Sequence, residues 1–343
     1  MSFLLNLFLM SYYAAPFLTL YPGAQPTAMG GAFCSIADNA YANFYNPAGL
    51  AFQNDIDLSF EHNSLKVTKV KYWRLAGVLP LTKYFSLGFY GSGAYDRWVF
   101  TDVYGIDSLG TVTFCEFTPG LTFNYKLNYL IGTGIGIKYI QSSLSSKTSY
   151  HTWTIGRSFA ADLGLFLKYP IPFGKINFGF VGQHIGPAMS YTANFPISGE
   201  KDPLPITIRG GISYILTAKE LQISNGKGWF NEWFLEKWRM IIAYDIKKIK
   251  DERYWYHSFG VEIRPIPFLA TRFGYFTDFF HKEIEGRNGW TVGLGFDLKF
   301  LRIDIANEDA LYWQGLTPSH LSFSLSLNLG EPIFPKNGLL ERK

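Results

Sequence analysis

Bulky apolar residues alternate with small or polar residues over most of this 343-residue chain. In the run "WTVGLGFDLKF", which begins at Trp290, every second position is large and apolar, and the positions between are Thr, Gly, Asp or Lys. The runs "IGTGIGIKYI" from Ile131 and "LSFSLSLNL" from Leu321 show similar alternation. A strand sends alternate side chains to opposite faces, whereas a helix repeats every 3.6 residues. The chain is therefore predicted to be all-β.

The alternating runs number about fourteen, an even count within the range of bacterial outer-membrane barrels. Connections after even-numbered runs are mostly short, as at Pro80 and Lys126, whereas those after most odd-numbered runs are long and polar. Short periplasmic turns and long outer loops are typical of transmembrane barrels. The sequence thus predicts a transmembrane antiparallel β-barrel. The runs lie near Ile56, Lys71, Phe85, Thr111, Ile131, Ala161, Ile176, Ile206, Met240, Ser258, Ala270, Trp290, Arg302 and Leu321.

The composition favours a barrel in lipid over a soluble β-sandwich. Charged residues make up 17% of the chain and aromatic residues 18%, whereas roughly 25% of a typical soluble protein is charged. The second face of the runs is rich in Gly, Ser and Asn, where a sandwich would expose charged residues and Thr. The predicted partner is outer-membrane lipid, and the predicted location is the bacterial outer membrane. The net charge of +4 is scattered, so no nucleic-acid partner is predicted.

The chain divides into four predicted parts. Residues 1–23 contain an apolar core followed by Ala14 and Ala15, which indicates a signal peptide or leader cleaved between Ala15 and Ala24. The alternative is a buried N-terminal strand or a short anchor. Residues 24–54 are predicted to plug the lumen, residues 55–330 to form the barrel, and residues 331–343 to form a tail.

The predicted plug contains the stretch "GGAFCSIADNAYANFYNPAGLAF", residues 30–52. Pro47 and Gly49 would break strand pairing, and a barrel of this size has an interior that water or protein must fill. We therefore expect the segment to lie inside, with polar side chains bonded to the lumen wall. The polar plug residues are Asp38, Asn39, Asn43 and Asn46, and the lumen-facing candidates are Asp162, Lys168, Arg209, Glu262, Arg264, Asp297, Arg302 and Asp304.

Several segments carry a family resemblance. They are "AMGGAFCSIADNAYANFYNPAGLA", the run Lys138 to Leu144, "FAADLGLFLKYP" at Phe159, "VGQHIGPAMSY" at Val181 and "DPLPITIRGGISY" at Asp202. In this order they resemble the PorV/PorQ family of outer-membrane proteins, within the FadL-like barrel superfamily. The resemblance implies a barrel with an N-terminal plug, and it matches the plug motif at Asn46, Pro47, Ala48 and Gly49. These residues are expected to form a structural turn, with direct substrate contact as the alternative.

Two functions follow from the resemblance. PorV-like members serve type IX secretion, which implies a shuttle or scaffold with secreted cargo proteins and secretion-system components as partners. FadL-like relatives instead pass hydrophobic small molecules through a lateral opening, and this is the alternative. A purely structural, porin-like protein is the third hypothesis.

No enzyme, cofactor or metal site is predicted. The six His residues occur singly without metal-ligand spacing, and Cys34 and Cys115 form no recognisable motif, although a bridge between them is left open. The Trp-rich connection after Thr217 is expected to form an amphipathic helix at the inner-leaflet interface, or alternatively to contact a protein partner. The residues concerned are Trp229, Trp233 and Trp238.

Overall fold

The computed structural model describes nine parts of the chain. They are residues 13–64, 70–101, 108–147, 151–194, 199–218, 238–277, 288–298, 300–311 and 320–330. The predicted tail at 331–343 and the residues Trp229 and Trp233 lie outside this part of the protein.

Four short helical elements precede the strands. They are a 3₁₀ helix at Pro16–Thr19, α1 at Ala24–Ala28, α2 at Ala42–Tyr45 and a second 3₁₀ helix at Pro47–Phe52. None of the helices in the described ranges is long and apolar enough to cross a bilayer.

Sixteen strands follow in the described residues and belong to one sheet. They are β1 (Asp57–Ser64), β2 (Lys71–Pro80), β3 (Phe85–Thr101), β4 (Ser108–Lys126), β5 (Ile131–Lys147), β6 (His151–Ile171), β7 (Gly174–Ile185), β8 (Met189–Ala193), β9 (Lys201–Asp202), β10 (Thr207–Thr217), β11 (Arg239–Ile249), β12 (Trp255–Ile266), β13 (Leu269–Thr277), β14 (Asn288–Leu298), β15 (Leu301–Leu311) and β16 (His320–Asn328).

Fourteen of these strands form a closed antiparallel barrel, which confirms the predicted fold. Each strand from β1 to β7 pairs with the next, β7 pairs with β10, and the order then continues to β16, which pairs with β1. Closure satisfies backbone groups that lipid could not. The two remaining strands, β8 and β9, extend the wall beside β6 at the end with the long loops, because β8 pairs with residues 154–157.

Side chains on the two barrel faces differ as the alternation predicts. Outward-facing residues such as Ile135 and Phe123 are large, apolar and exposed, whereas their inward-facing neighbours on the same strands, Gly134 and Asn124, are small or polar. An apolar outer face on a closed barrel suits acyl chains. Together with this fold, it places the protein in the bacterial outer membrane.

The N-terminal segment lies within the barrel. We use this name for residues 24–52, of which nearly all are buried. α1 contacts strands β13 to β16, and the 3₁₀ helix at Pro47–Phe52 contacts β3 to β6 on the opposite part of the wall. Residues 13–23, which the leader prediction includes, also contact the barrel interior, where Ala14, Ala15 and Phe17 pack into an apolar cluster with Tyr72 and Phe114.

Candidate functional site

Backbone groups of the N-terminal segment bond to inward-facing side chains around the barrel. The Asp245 carboxylate accepts from the backbone N–H groups of Phe33 and Cys34 at 3.0 and 2.9 Å. On other strands, the Thr291 hydroxyl accepts from the Gly30 N–H at 3.0 Å, and the Ser86 hydroxyl donates to the Leu50 carbonyl at 2.8 Å. A buried loop needs such partners for its backbone groups, and the polar inward face supplies them.

Inward-facing glycines let the segment approach the wall closely. A Cβ at Gly179 would lie 2.2 Å from the Cys34 carbonyl oxygen, and one at Gly134 would lie 2.6 Å from the Ala48 nitrogen. Real Cβ atoms do not approach backbone so closely, so any side chain at these positions would displace the segment. The glycines on the inward face of the strands therefore leave room for the backbone of the N-terminal segment.

Asn46 joins the segment to itself and to the wall. Its Nδ2 donates to the carbonyls of Cys34 at 3.1 Å and Leu165 at 3.0 Å, while its Oδ1 accepts from the Ala48 N–H at 3.2 Å. The last contact caps the 3₁₀ helix that Pro47 begins. The Asn46–Pro47 step thus starts a helix, where the sequence suggested a simple turn.

The other polar residues of the segment bond mainly to neutral groups. Asn39 Nδ2 donates to Gln25 Oε1 at 2.7 Å, and Asn43 bonds to the Gly77 carbonyl and to the Thr122 hydroxyl. Asp38 pairs with Arg239 at 2.7 Å, a residue that the sequence did not single out. The lumen charges that were expected to bind these residues are mostly paired with one another.

Among the described residues, Glu262 is the centre of the largest network of ion pairs. Its fully buried carboxylate accepts from Arg272 Nε at 2.7 Å and Arg264 Nε at 3.1 Å, and Arg239 lies 3.5 Å away. The network continues from these arginines to Asp304 and Asp297, and Asp297 also pairs with Arg302. Removing one member of this buried network would leave other charged groups without a partner.

The remaining predicted site residues are distributed around the lumen. Arg209 lies 3.7 Å from Asp245 and donates to the Gly31 carbonyl at 3.3 Å. The Lys168 ammonium lies 3.8 Å above the ring of Phe52. Gly49 packs against Ala37, where a Cβ would lie 2.4 Å from the Ala37 Cβ. The Trp238 carbonyl accepts from the Ala218 N–H, at the boundary of the Trp-rich connection.

Cys34 provides a chemical probe of the segment. The side chain is fully buried, and burial raises the pKa of its thiol well above the usual value, with a further increase from the Asp245 carboxylate. Because the thiolate is the reactive form, Cys34 should resist maleimide while the segment stays in place. Cys34 and the exposed Cys115 are both free thiols. Replacing Cys115 by Ser therefore leaves Cys34 as the residue whose labelling by maleimide is measured.

Replacing Asn46 by Ala should loosen the segment. The change removes the donor to two carbonyls and the helix cap, at a cost of about 2 kcal/mol. In the Cys115→Ser background, we expect Cys34 to react with maleimide faster than in the parent. Asn54→Ala is the matched control because Asn54 is exposed. Equal labelling rates in the two variants would show that Asn46 does not hold the segment.

The barrel wall is interrupted between β4 and β5. The ladder runs to Phe117, which pairs with Gln141, and resumes in the same register at Gly120, which pairs with Lys138. Thr118 and Pro119 make no ladder pair with β5. Pro119 has no N–H to donate, so this stretch of wall has fewer bonds to break than its neighbours.

An apolar groove lies on the outer surface over this interruption. It has a volume of about 910 Å³ and is lined by residues of β2 to β7 and the two residues that follow β7, among them the exposed Trp73, Phe117 and Phe159. Gly91 and Pro119 form part of its floor, where no large side chain fills the space.

A small chamber lies on the inner side of the wall. Its free volume is about 30 Å³, and its lining combines apolar residues such as Leu18 and Phe44 with polar residues of the strands. Tyr90 and Lys138 line both the chamber and the outer groove. Both are opposite Gly120 in the sheet, Tyr90 on β3 and Lys138 on β5. These two residues therefore border both the interior chamber and the lipid-facing groove.

Sequence reasoning missed this part of the wall. Neither Tyr90 nor Pro119 was singled out, although a Pro inside the strand run "FTPGL" is a signal of broken pairing. The pairing of strands was needed to show that Pro119, Tyr90 and Lys138 meet at one point.

Comparisons with known proteins agree on the architecture. No protein-family profile and no curated protein matches this sequence. Among solved structures, the chain is similar to the monoaromatic hydrocarbon channel CymD, with a TM-score of 0.59 and 12% identity over 90% of this chain and 98% of that chain. It is also similar to the toluene transporter TbuX of Ralstonia pickettii, with a TM-score of 0.56 and 13% identity over 90% and 98% of the two chains.

A third similar structure is a FadL homologue of Pseudomonas aeruginosa, with a TM-score of 0.51 and 10% identity over 90% of this chain and 97% of that chain. The fold is that of FadL-type outer-membrane channels. The FadL-like part of the sequence resemblance is thereby confirmed at the level of the fold, whereas these likenesses give no support to PorV/PorQ specifically. CymD is described as a channel and TbuX as a transporter.

Proposed function

We propose that this protein passes hydrophobic small molecules between the barrel interior and the outer membrane, through the wall at Thr118 and Pro119. The observation that carries the proposal is that Tyr90 and Lys138 line both the chamber and the outer groove. The FadL-type fold and the neighbours described as hydrocarbon and toluene channels support it. They favour this function over the secretion role that the sequence placed first.

In this proposal, the passage is in a closed form. A cavity of roughly 150 Å³ is sufficient to bind benzene, and the chamber has free space of about 30 Å³. A ring-sized molecule therefore requires displacement of side chains such as Leu18, Phe44 or Tyr90. Tyr90 is well placed to move, because its hydroxyl has no hydrogen-bond partner among the described residues and its ring is held by an edge contact with Phe44 at 4.9 Å.

Replacing Gly91 by Phe should block the groove from outside. A Cβ at Gly91 would meet only Trp73 at 3.8 Å, so a ring fits there without disturbing the wall. We expect uptake of radiolabelled toluene by cells that express the variant to fall to the level of cells without the protein.

Gly210→Phe is the matched control for this experiment. Gly210 is also an open strand glycine of the outer face, with its nearest Cβ neighbour, Phe180, at 3.6 Å, but it lies on β10, five strands along the wall from Gly91. Uptake should stay at the level of the parent. A Gly91→Phe variant that assembles and takes up toluene as fast as Gly210→Phe would contradict passage through this wall.

The N-terminal segment acts as a plug in this proposal. Its hydrogen bonds to strands around the barrel and the glycines that receive its backbone support residues 24–54 as the plug and residues 55–330 as the barrel. In this role Asn46, Pro47 and Gly49 keep the segment compact and do not contact substrate.

The secretion role is a second proposal, based on the motifs that resemble PorV/PorQ. The exposed aromatic residues of the short turns, such as Tyr129 and Phe173, offer surface for a protein partner. Affinity capture from native membranes tests it. Recovery of exported cargo would support the shuttle, and its absence would leave the channel as the single proposed function.

A further inference from the structure

A second apolar groove lies on the outer surface of the barrel, over strands β6, β7 and β10 to β12. It has a volume of about 490 Å³, and its lining includes two glycines, Gly182 and Gly210. The nearest neighbour of a Cβ at Gly210 would be Phe180 at 3.6 Å, so the space above this glycine is open. The large apolar residues of the lining are Leu163, Leu165, Phe180, Ile208, Ile246 and Trp255.

The register of the sheet places a basic residue beside this second groove. Ile208 on β10 is opposite Lys248 on β11. Lys248 is in turn opposite Trp255 on β12. Directly opposite residues lie on the same face of a sheet. Because Ile208 and Trp255 both line the second groove, Lys248 faces outward between them.

Lys248 lies near the end of the barrel that carries the long loops. The turn from β11 to β12, residues 250–254, follows it almost directly. The Lys250 N–H donates to the carbonyl of Ile206 at 2.7 Å, and Ile206 belongs to the long connection between β7 and β10. Long loops mark the outer end of a barrel, and Trp side chains such as Trp255 are frequent at the membrane interface. The Lys248 ammonium is therefore at the level of the outer-leaflet head groups.

The Lys248 ammonium is held in a fixed position. It donates to the backbone carbonyls of Glu252 and Tyr254 and lies 5.9 Å from the centre of the Trp255 ring. An ammonium has three N–H donors. Two of them are used within the turn, which leaves the third for a ligand.

The turn has a net positive charge. Residues 248–253 contain three basic and two acidic side chains, and the basic side chains of Lys250 and Arg253 are exposed. Of the two acidic side chains, that of Glu252 already has a partner, because its Oε1 accepts from the Tyr13 hydroxyl at 2.9 Å. The head of the second groove therefore favours an anionic group.

We propose that the second groove binds a phosphorylated, multiply acylated lipid of the outer leaflet, of the lipid A class. One acyl chain lies over Gly182 and Gly210, where the absence of side chains leaves room for it. Lys248 donates to a phosphate oxygen of the head group, a role that suits a lysine ammonium. The apolar floor and the cation at its outer end thus match the two chemical parts of one lipid.

A titration of fluorescent lipid A into the purified full-length barrel in phosphatidylcholine nanodiscs tests this site. We expect Lys248→Gln to weaken binding about tenfold, because one charge-assisted hydrogen bond is lost. Lys147→Gln is the matched control, since Lys147 is also an exposed lysine at the outer end of a strand but belongs to β5 and does not line the second groove. Its affinity should equal that of the parent.

Two further measurements separate the acyl chain from the phosphate. In Gly210→Phe a ring occupies the floor, so lipid A should bind about tenfold more weakly although Lys248 is unchanged. Lipid A without phosphate should bind the parent and Lys248→Gln equally. Each variant is first shown to run as the folded barrel on a semi-native gel, and if Gly210→Phe does not assemble, the surface variant Lys248→Gln decides the question.

The outcomes also separate this lipid site from the proposed passage. A folded Lys248→Gln or Gly210→Phe barrel that binds lipid A as tightly as the parent would overturn the lipid site. Equal competition by phosphatidylglycerol would overturn it too, because the groove would then accept any anionic membrane lipid. The site does not depend on the proposed function, since Gly210→Phe should lose lipid A and still take up toluene at the rate of the parent.

Discussion

In a Gly179→Val variant, the N-terminal segment should leave its position while the barrel stays closed. The new Cβ would lie 2.2 Å from the Cys34 carbonyl oxygen and 3.0 Å from Asn46 Nδ2, so the backbone of the segment has to move. Val is favourable in a strand, and the neighbouring wall position Gly211 leaves lateral space. The strain therefore acts on the segment and not on the sheet.

Two measurements report this displacement. In the Cys115→Ser background, maleimide should modify Cys34 rapidly in Gly179→Val and slowly in the parent. The conductance of single barrels in planar bilayers should also increase, because a barrel of this width encloses more space than its own side chains fill.

Gly210→Val is the matched control for Gly179→Val. It places the same side chain on the outer face, where the nearest neighbour of the Cβ is Phe180 at 3.6 Å. Both the thiol labelling and the conductance should equal those of the parent. A folded Gly179→Val barrel with an unreactive Cys34 and low conductance would show that the segment is not held against this wall.

Replacing Glu262 by Gln should destabilise the barrel strongly. The carboxylate is fully buried, and the arginines Arg272, Arg264 and Arg239 lie within 3.5 Å of it. Without the negative charge these guanidinium groups repel one another, and the loss from breaking a buried charge group is about 3–5 kcal/mol. The folded band on a semi-native gel should convert to the unfolded band at a clearly lower temperature.

Glu200→Gln is the control for the Glu262 variant. Glu200 is exposed on the connection between β8 and β9, and exposed charges contribute little to stability. Its conversion temperature should match that of the parent. Equal temperatures for both variants would mean that the arginines near Glu262 have other partners.

The strand content could be predicted from the sequence because each barrel strand separates an apolar from a polar or small face. The run at Ile131 became β5 and the run at Leu321 became β16, each in the expected position. β8 and β9 were not predicted, because segments of five and two residues are too short to show an alternating pattern. Asp38 was named as a polar residue of the N-terminal segment, but its partner Arg239 was not.

The functional ranking depended on different information. Motifs around Asn46 and Pro47 favoured a secretion role, whereas the channel proposed above is argued from the interruption of the wall between β4 and β5. The interruption was hard to see in the sequence because Pro119 marks it on one strand only. The structural consequence of the interruption depends on the residues of β3 and β5 that lie opposite it.

The sequence by itself determined that this chain forms a lipid-facing cylinder, because a period of two assigns every side chain to one face and lipid permits no open sheet edge. The tertiary structure decided which inward glycine meets which backbone atom and which charges pair. It also decided where the wall is weak. These features depend on register and on contacts between residues far apart in sequence, such as Asn46 with Leu165 and Lys138 with Asp162, and alternation carries no information about them.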